Sequence, residues 1–336
     1  MPTRARPRSN QPSATSRAAP MLAAPLLLAL ASGIASAQPT ASADTSDGAV
    51  PTPPPGQRDL LGKGRMTLRA NTTFSLNADL DGEGDSSVGR LGAGASYAAP
   101  LTDSVFANFS YDVEFSFYDF GGATGLIADG DPVDSVYEHT LSVGFNGRIN
   151  PAWGWFAGGG VKIAAETGAN DNGIYQPIGF GGVSYRFSDS LTMGFGLGVA
   201  ARLEDNARIL PLIQVDWRID EQWRLSAGRT IITEGPTAAL FYKANENTEL
   251  FVGGGLNFRE FRMDDEGPVP DGVFNDNRVP ILAGLAWAAT PNIRLIAGGG
   301  VTAWQEYQID DSSGNEVSSA ESDPSGMLFL RLEASF

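Results

Sequence analysis

The chain has 336 residues, 39 acidic against 23 basic side chains, a net charge of −16 and a mean hydropathy of −0.12. Such an acid excess excludes nucleic acid as a partner, because phosphate recognition needs clustered Lys and Arg. The absence of cysteine excludes disulfides and thiolate metal centres, and fits an envelope protein stabilised by its strands alone.

The N-terminal region carries Arg4, Arg6, Arg8 and Arg17, then an almost wholly apolar run at 21–35, then Ala35-Ser36-Ala37 ahead of Gln38. A basic leader, an apolar core and a small-x-small site are the parts of a secretory signal peptide, here 1–37. The run falls short of the ~20 residues that a spanning helix needs. No cysteine follows it, so a lipoprotein anchor is not expected. Loss of the four leader arginines takes the formal charge from −16 to −20. Residues 38–63, rich in Pro, Ala and Ser and including Pro53-Pro54-Pro55, read as a disordered linker too short to form a domain.

From Arg65 the hydropathy pattern takes a period of two and keeps it. In the segment 65–78, Met66, Leu68, Ala70, Phe74 and Leu76 share one face, and Arg65, Arg69, Asn71, Ser75 and Asn77 share the other. In 104–118, Phe109, Tyr111, Val113, Phe115 and Phe117 oppose Asn108, Ser110, Asp112, Glu114 and Ser116. A strand with lipid on one side and a wet lumen on the other requires this alternation. Fourteen such segments follow one another: 65–78, 87–99, 104–118, 136–149, 153–166, 174–187, 191–204, 208–219, 223–230, 235–243, 248–263, 278–288, 293–309 and 326–336. Many of the 41 glycines lie inside them, as at 158–160 and 298–300, where close backbone approach in a curved sheet uses them.

The connections sort independently. Short ones at 100–103, 150–152, 188–190, 220–222, 244–247 and 289–292 fall at one end of the strands. Longer ones at 79–86, 119–135, 167–173, 264–277 and 310–325 fall at the other. This is the asymmetry of periplasmic turns and external loops. No long loop carries an evident fold-in constriction. Trp153, Trp155, Trp217, Trp223 and Trp287 lie on the outward parity beside the short turns, and Phe117, Tyr137, Tyr175 and Tyr307 lie on it near the opposite rim. They read as two interfacial aromatic girdles. Pro177, Pro211 and Pro280 interrupt strands near their external ends, so a twelve-strand closure stands as the alternative to fourteen.

The last segment places Leu328, Leu330, Leu332, Ala334 and Phe336 on one face. It resembles the C-terminal signal of bacterial outer-membrane barrels, which implies that Phe336 is read by the barrel-assembly machinery. The second half also resembles an uncharacterised, domain-of-unknown-function family of outer-membrane barrels. That resemblance rests on Trp223-Arg224-Leu225-Ser226-Ala227-Gly228, Gly235-Pro236 before Leu240-Phe241-Tyr242-Lys243, 258–265 and Arg278-Val279-Pro280. It implies a barrel in a Gram-negative envelope, with outer-membrane lipid and lipopolysaccharide as neighbours. It implies no substrate.

The expected fold is therefore an all-β, up-and-down, antiparallel transmembrane barrel over 64–336. Parity aims Arg65, Arg69, Arg90, Asp112, Glu114, Glu138, Arg148, Lys162, Arg202, Asp216, Arg218, Arg331 and Glu333 into the lumen, together with Arg259 and Glu306. Charges of both signs suit a pore that conducts small solutes passively; they equally suit a wetted wall. Phe106, Phe156, Ile178, Phe180, Leu210, Leu212, Phe241, Phe251, Leu282 and Phe329 also point inward. That lining favours a narrow lumen, or a path for hydrophobic compounds like that of the fatty-acid and aromatic-hydrocarbon transporters that the chain resembles. A closed structural barrel is the third reading. No enzyme is expected: His139, the only histidine, has parity opposite to Ser142 and Asn146, so the three cannot form a hydrolase site. The acidic loops at Asp79, Asp81, Glu83 and Asp85, and at Asp264, Asp265, Glu266 and Asp271, lack the spacing of a calcium loop. No metal or cofactor is expected.

Overall fold

The computed structural model describes residues 64–127, 131–170, 173–229 and 236–336. The expected leader at 1–37 and the expected linker at 38–63 lie outside them. Sixteen strands form one sheet: β1 (Arg65–Asp79), β2 (Asp85–Thr102), β3 (Val105–Gly121), β4 (Ser135–Arg148), β5 (Trp153–Glu166), β6 (Tyr175–Arg186), β7 (Leu191–Ala200), β8 (Arg208–Arg218), β9 (Trp223–Arg229), β10 (Pro236–Asn245), β11 (Thr248–Gly255), β12 (Asn257–Arg262), β13 (Val273–Thr290), β14 (Ile293–Asp310), β15 (Glu316–Ser322) and β16 (Ser325–Ser335).

The sheet closes because β16 pairs with β1, Thr67 opposite Ser335 and Ser75 opposite Met327. The wall runs β1 through β11, then β13, β14 and β16, giving a closed antiparallel barrel of 14 strands. The twelve-strand alternative is thereby set aside. Closure pairs the wall strands with one another around the ring, the arrangement that a bilayer demands of a sheet crossing it. Leu68, Leu91, Phe109, Leu141, Val252 and Leu330 all stand exposed on the outer face, as lipid contact requires and as water would not favour.

The short turns share one device. The Asn150 Oδ1 accepts from the backbone N–H of Ala152 and Trp153. Asp220 does the same for Gln222 and Trp223, and the Thr290 Oγ1 for Asn292 and Ile293. A short polar side chain at the first turn position satisfies two amides that the ladder leaves over.

Interior glycines let neighbouring strands approach. A β-carbon on Gly300 would overlap the Ile281 carbonyl oxygen on β13. The Gly300→Ala variant is therefore expected to lose about 1–3 kcal/mol, read as a lower temperature for the heat-induced mobility shift of the folded barrel on gels.

The external half departs from the sequence pattern in four places. The expected strand 248–263 breaks at Leu256 into β11 and β12. The expected loops 264–277 and 310–325 contribute the first part of β13 and the whole of β15. The seventh strand stops at Ala200, so Arg202 stands beyond the wall. Last, the β13–β14 register shifts between Val279 and Pro280, where Val279 faces Trp304 but Pro280 faces Thr302. One extra residue on β14 reverses its parity beyond that point. Tyr307, expected in the outer girdle, is for that reason buried at 1% exposure, and Glu306 turns to the other face.

Candidate functional site

The departures have one geometric result. Beyond Leu256, β12 leaves the wall and crosses toward the far side, where Arg262 bridges Ala165 of β5. The upper parts of β13 and β14 and the whole of β15 follow in register. A four-stranded flap thus bends into the external half of the barrel.

The flap brings an apolar face with it. Phe261, Phe274, Tyr307 and Ile309 pack on Tyr118, Phe120, Val88 and Val136 of the facing wall. The Phe261 and Phe274 rings stack at 5.1 Å, and Phe120 meets Tyr307 edge-on at 5.3 Å. The opposite side of β12 is held by the turns of the far wall. The Glu260 carboxylate accepts from Arg202 Nε at 2.8 Å and from the Leu203 backbone N–H. Arg262 donates to Glu204 at 2.6 Å, and the Arg208 guanidinium lies 4.8 Å from the Phe258 ring.

Beneath the apolar layer lies a buried ion network. Asp276, fully buried, accepts from Arg90, from Tyr118 Oη at 3.0 Å and from Gln305 Nε2 at 2.8 Å. Glu114 pairs with Arg259, and Arg90 Nε stands 3.9 Å from it. Buried charges persist only when paired and hydrogen-bonded in this way.

The half of the lumen nearer the termini is lined differently on its two sides. Ala239, Phe241, Phe251, Leu282, Ile296 and Met327 form a second buried cluster, with Phe329 against it. Across from it, Arg69 and Asp112 pair at 2.5 Å, and Lys162 and Glu138 at 3.7 Å.

The remaining expected lumen residues are dispersed. Arg65 and Arg148 lie at strand ends beside the termini and the short turns, and Arg148 is exposed. Arg331 and Glu333 are neighbours on one face of β16, 4.0 Å apart. Asp216 is exposed and Arg218 half-buried near the β8–β9 turn. Phe336 is 68% exposed, and its backbone exchanges hydrogen bonds with Met66 at 2.9 and 3.1 Å. The structure thus brings Arg90 and Glu114 into the buried network, pairs Arg69 with Asp112, Lys162 with Glu138 and Arg331 with Glu333 elsewhere on the wall, and leaves Arg65, Arg148, Asp216 and Arg218 dispersed. It adds Asp276, which sequence reasoning passed over because 264–277 resembles a polar loop, and Arg278, the first residue of the expected strand 278–288. The alternation of Phe274, Asp276 and Arg278 was the available signal.

The wall is also uneven. β8 pairs with β9 only from Val215 to Arg218, while its upper part, Arg208 to Gln214, pairs with β7 alone among the described residues. Pro211 sits in this one-sided stretch, where a missing N–H is tolerated. His139 faces outward, its Nδ1 2.8 Å from Tyr111 Oη. Among the described residues no group of three or more acidic or histidine side chains is placed to hold a metal.

A closed antiparallel barrel with a lipid-facing belt defines the class: an outer-membrane transmembrane β-barrel, here with its external lumen filled by its own strands. No family model and no curated protein matches the chain. Among solved structures it is similar to the Pseudomonas putida toluene transporter TodX (8% identity, TM-score 0.44, covering 81% of this chain and 89% of that one). It is similar also to a Pseudomonas aeruginosa FadL homologue (12%, 0.45, 81% and 90%).

Proposed function

We propose that the protein is an outer-membrane channel for small hydrophobic compounds, reached after export by the leader 1–37 and insertion through the assembly machinery that reads Phe336. One observation carries this reading. The external lumen is packed with buried apolar and ion-paired side chains, while Phe241, Phe251, Leu282 and Phe329 line the lumen below it. A hydrated solute has little to gain on such a path. An apolar one gains about 25 cal/mol for each Å² it removes from water.

The narrow pore for small hydrated solutes is the second reading. It is favoured by the charged pairs Arg69–Asp112 and Lys162–Glu138 and by the exposed Asp216. The proposal assigns the chain no catalytic chemistry: His139 faces outward and Ser142 inward, paired with Ser110.

Proteoliposomes separate the two. Barrel-loaded vesicles are expected to speed equilibration of a neutral aromatic hydrocarbon over empty vesicles, and to leave sugar-driven swelling at the empty-vesicle rate. Swelling with small sugars at the rate of an open pore, without faster hydrocarbon entry, would overturn the hydrophobic reading in favour of the narrow pore.

A further inference from the structure

The half of the lumen nearer the termini carries two aromatic patches, and they differ in what a solute can reach. On one side Phe251 faces Gly284, Gly284 faces Gly298, and Gly298 faces Phe329 across successive strands. The two rings lean over these glycines with their centroids 6.1 Å apart. A β-carbon on either glycine would stand 2.9 Å from the tip of the ring above it. Packed with Phe241, Leu282 and Ile296, Phe251 is left 4% exposed and Ile296 not at all. This side lines the lumen as a closed wall.

Half-way round the barrel, on β5 and β6, the same pairing recurs without the closure. Phe156 faces Gly182, and Phe180 faces Gly158. Each ring reaches across to its partner glycine, where a β-carbon would overlap the ring tip. Both rings nevertheless stay half-buried. The inward positions beside them include Gly144, Gly160 and Gly196, which put no side chain over the rings. Ile178, opposite Gly160, continues the apolar surface toward the flap. The charges on this side are paired or distant: Lys162 is held by Glu138, and Arg148 and Arg186 end their strands beside the short turns. A ring laid on glycine offers apolar area while taking little of the bore. Apolar area open to a wet lumen is where an apolar solute gains by leaving water.

We propose that Phe156 and Phe180 are the surface over which small apolar compounds cross this half of the lumen, so that passage follows the β4–β7 side and not the Phe251–Phe329 side. The assignment deepens the channel reading and rests on it. The two rings act as specificity-determining residues: they favour an apolar solute over a hydrated one without any charged group at the contact.

Naphthalene entry into vesicles carrying the full barrel tests it, with sugar-driven swelling as the second readout. The pair Phe156→Ser and Phe180→Ser in one chain is expected to slow barrel-dependent entry at least roughly fivefold, the factor that about 40 Å² of lost apolar contact supplies. Phe180→Ser alone is expected to slow it about twofold, which keeps the test decisive should the double variant not fold. Phe156→Leu with Phe180→Leu keeps the surface apolar and is expected to hold the rate within about twofold of the parent. Sugar swelling is expected to stay at the parent rate in every variant. Parent-like naphthalene entry through the folded serine variants would overturn the assignment and leave the channel standing. So would an equal loss in the serine and leucine pairs, which would mark the rings as supports of the wall. A parent that admits no naphthalene would remove the channel reading itself, and this assignment with it.

Discussion

Replacing residues 257–278 with an Asn-Gly turn will convert the protein from a barrel with little steady current into an open pore. The replacement joins Leu256 to Val279 just above the last β11–β13 pair, Gly254 with Ile281, and two-residue Asn-Gly turns suit antiparallel neighbours. It removes Phe261, Met263 and Phe274 from the buried apolar layer. It also releases the far-wall contacts of Glu260 and Arg262. Arg90 and Glu114, already 3.9 Å apart, remain to pair with each other. A barrel of fourteen strands is wide enough to leave water along its axis when no chain fills it. Planar-bilayer conductance is the measurement, and the steady current of the variant is expected to exceed that of the parent by roughly tenfold or more. A parent protein that already conducts as well as the variant would show that the flap does not obstruct the axis.

The sequence reveals the wall far better than it reveals this flap, and the cause is physical. Wall strands face lipid on one side, so each must alternate, and the alternation in 65–78 or 104–118 appears directly as β1 and β3. Apart from Phe258, β12 is buried on both faces, as is the start of β13. Asn257, Arg259, Glu260, Phe261 and Arg262 are all buried, so no outward apolar set marks the point where β12 leaves the membrane. The polar composition of 264–277 and 310–325 then reads as loop, although part of each is strand. A single inserted residue on β14 was equally hard to see. Parity carried past it puts Tyr307 among lipids, whereas the bulge puts it in the core. Of the candidate site, Arg90, Glu114 and Arg259 were legible as inward residues. Their partners Asp276 and Tyr118 were not, because pairing across a closed barrel depends on how far the flap bends, which no local pattern encodes.

Asp276→Asn is the single substitution expected to damage the fold most. The carboxylate is fully buried on β13 and anchors three elements at once: Arg90 from β2, Tyr118 from β3 and Gln305 from β14. An amide of the same size keeps the volume but removes the negative charge. Arg90 then remains buried with only Glu114, 3.9 Å from its Nε and already held by Arg259. One half of the amide also presents donors where Arg90 and Tyr118, or Gln305, present donors. Removing one partner of a buried pair costs about 3–5 kcal/mol, because the other charge is left uncompensated. The loss falls on the flap rather than on the wall, since the lower pairing of β13 with β14, Leu282 with Gly300 through Leu285 with Ala297, does not involve Asp276. The variant is therefore expected to keep the strand signal in circular dichroism and the mobility of a folded barrel, while amides of β12 and upper β13 exchange with deuterium far faster than in the parent. Arg90→Met in the same chain removes the stranded charge and is expected to restore much of the protection, as apolar replacement of a buried ion pair does elsewhere. Unchanged exchange in Asp276→Asn would mean that the apolar layer alone holds the flap. Loss of the whole barrel would mean that flap and wall fold as one cooperative unit.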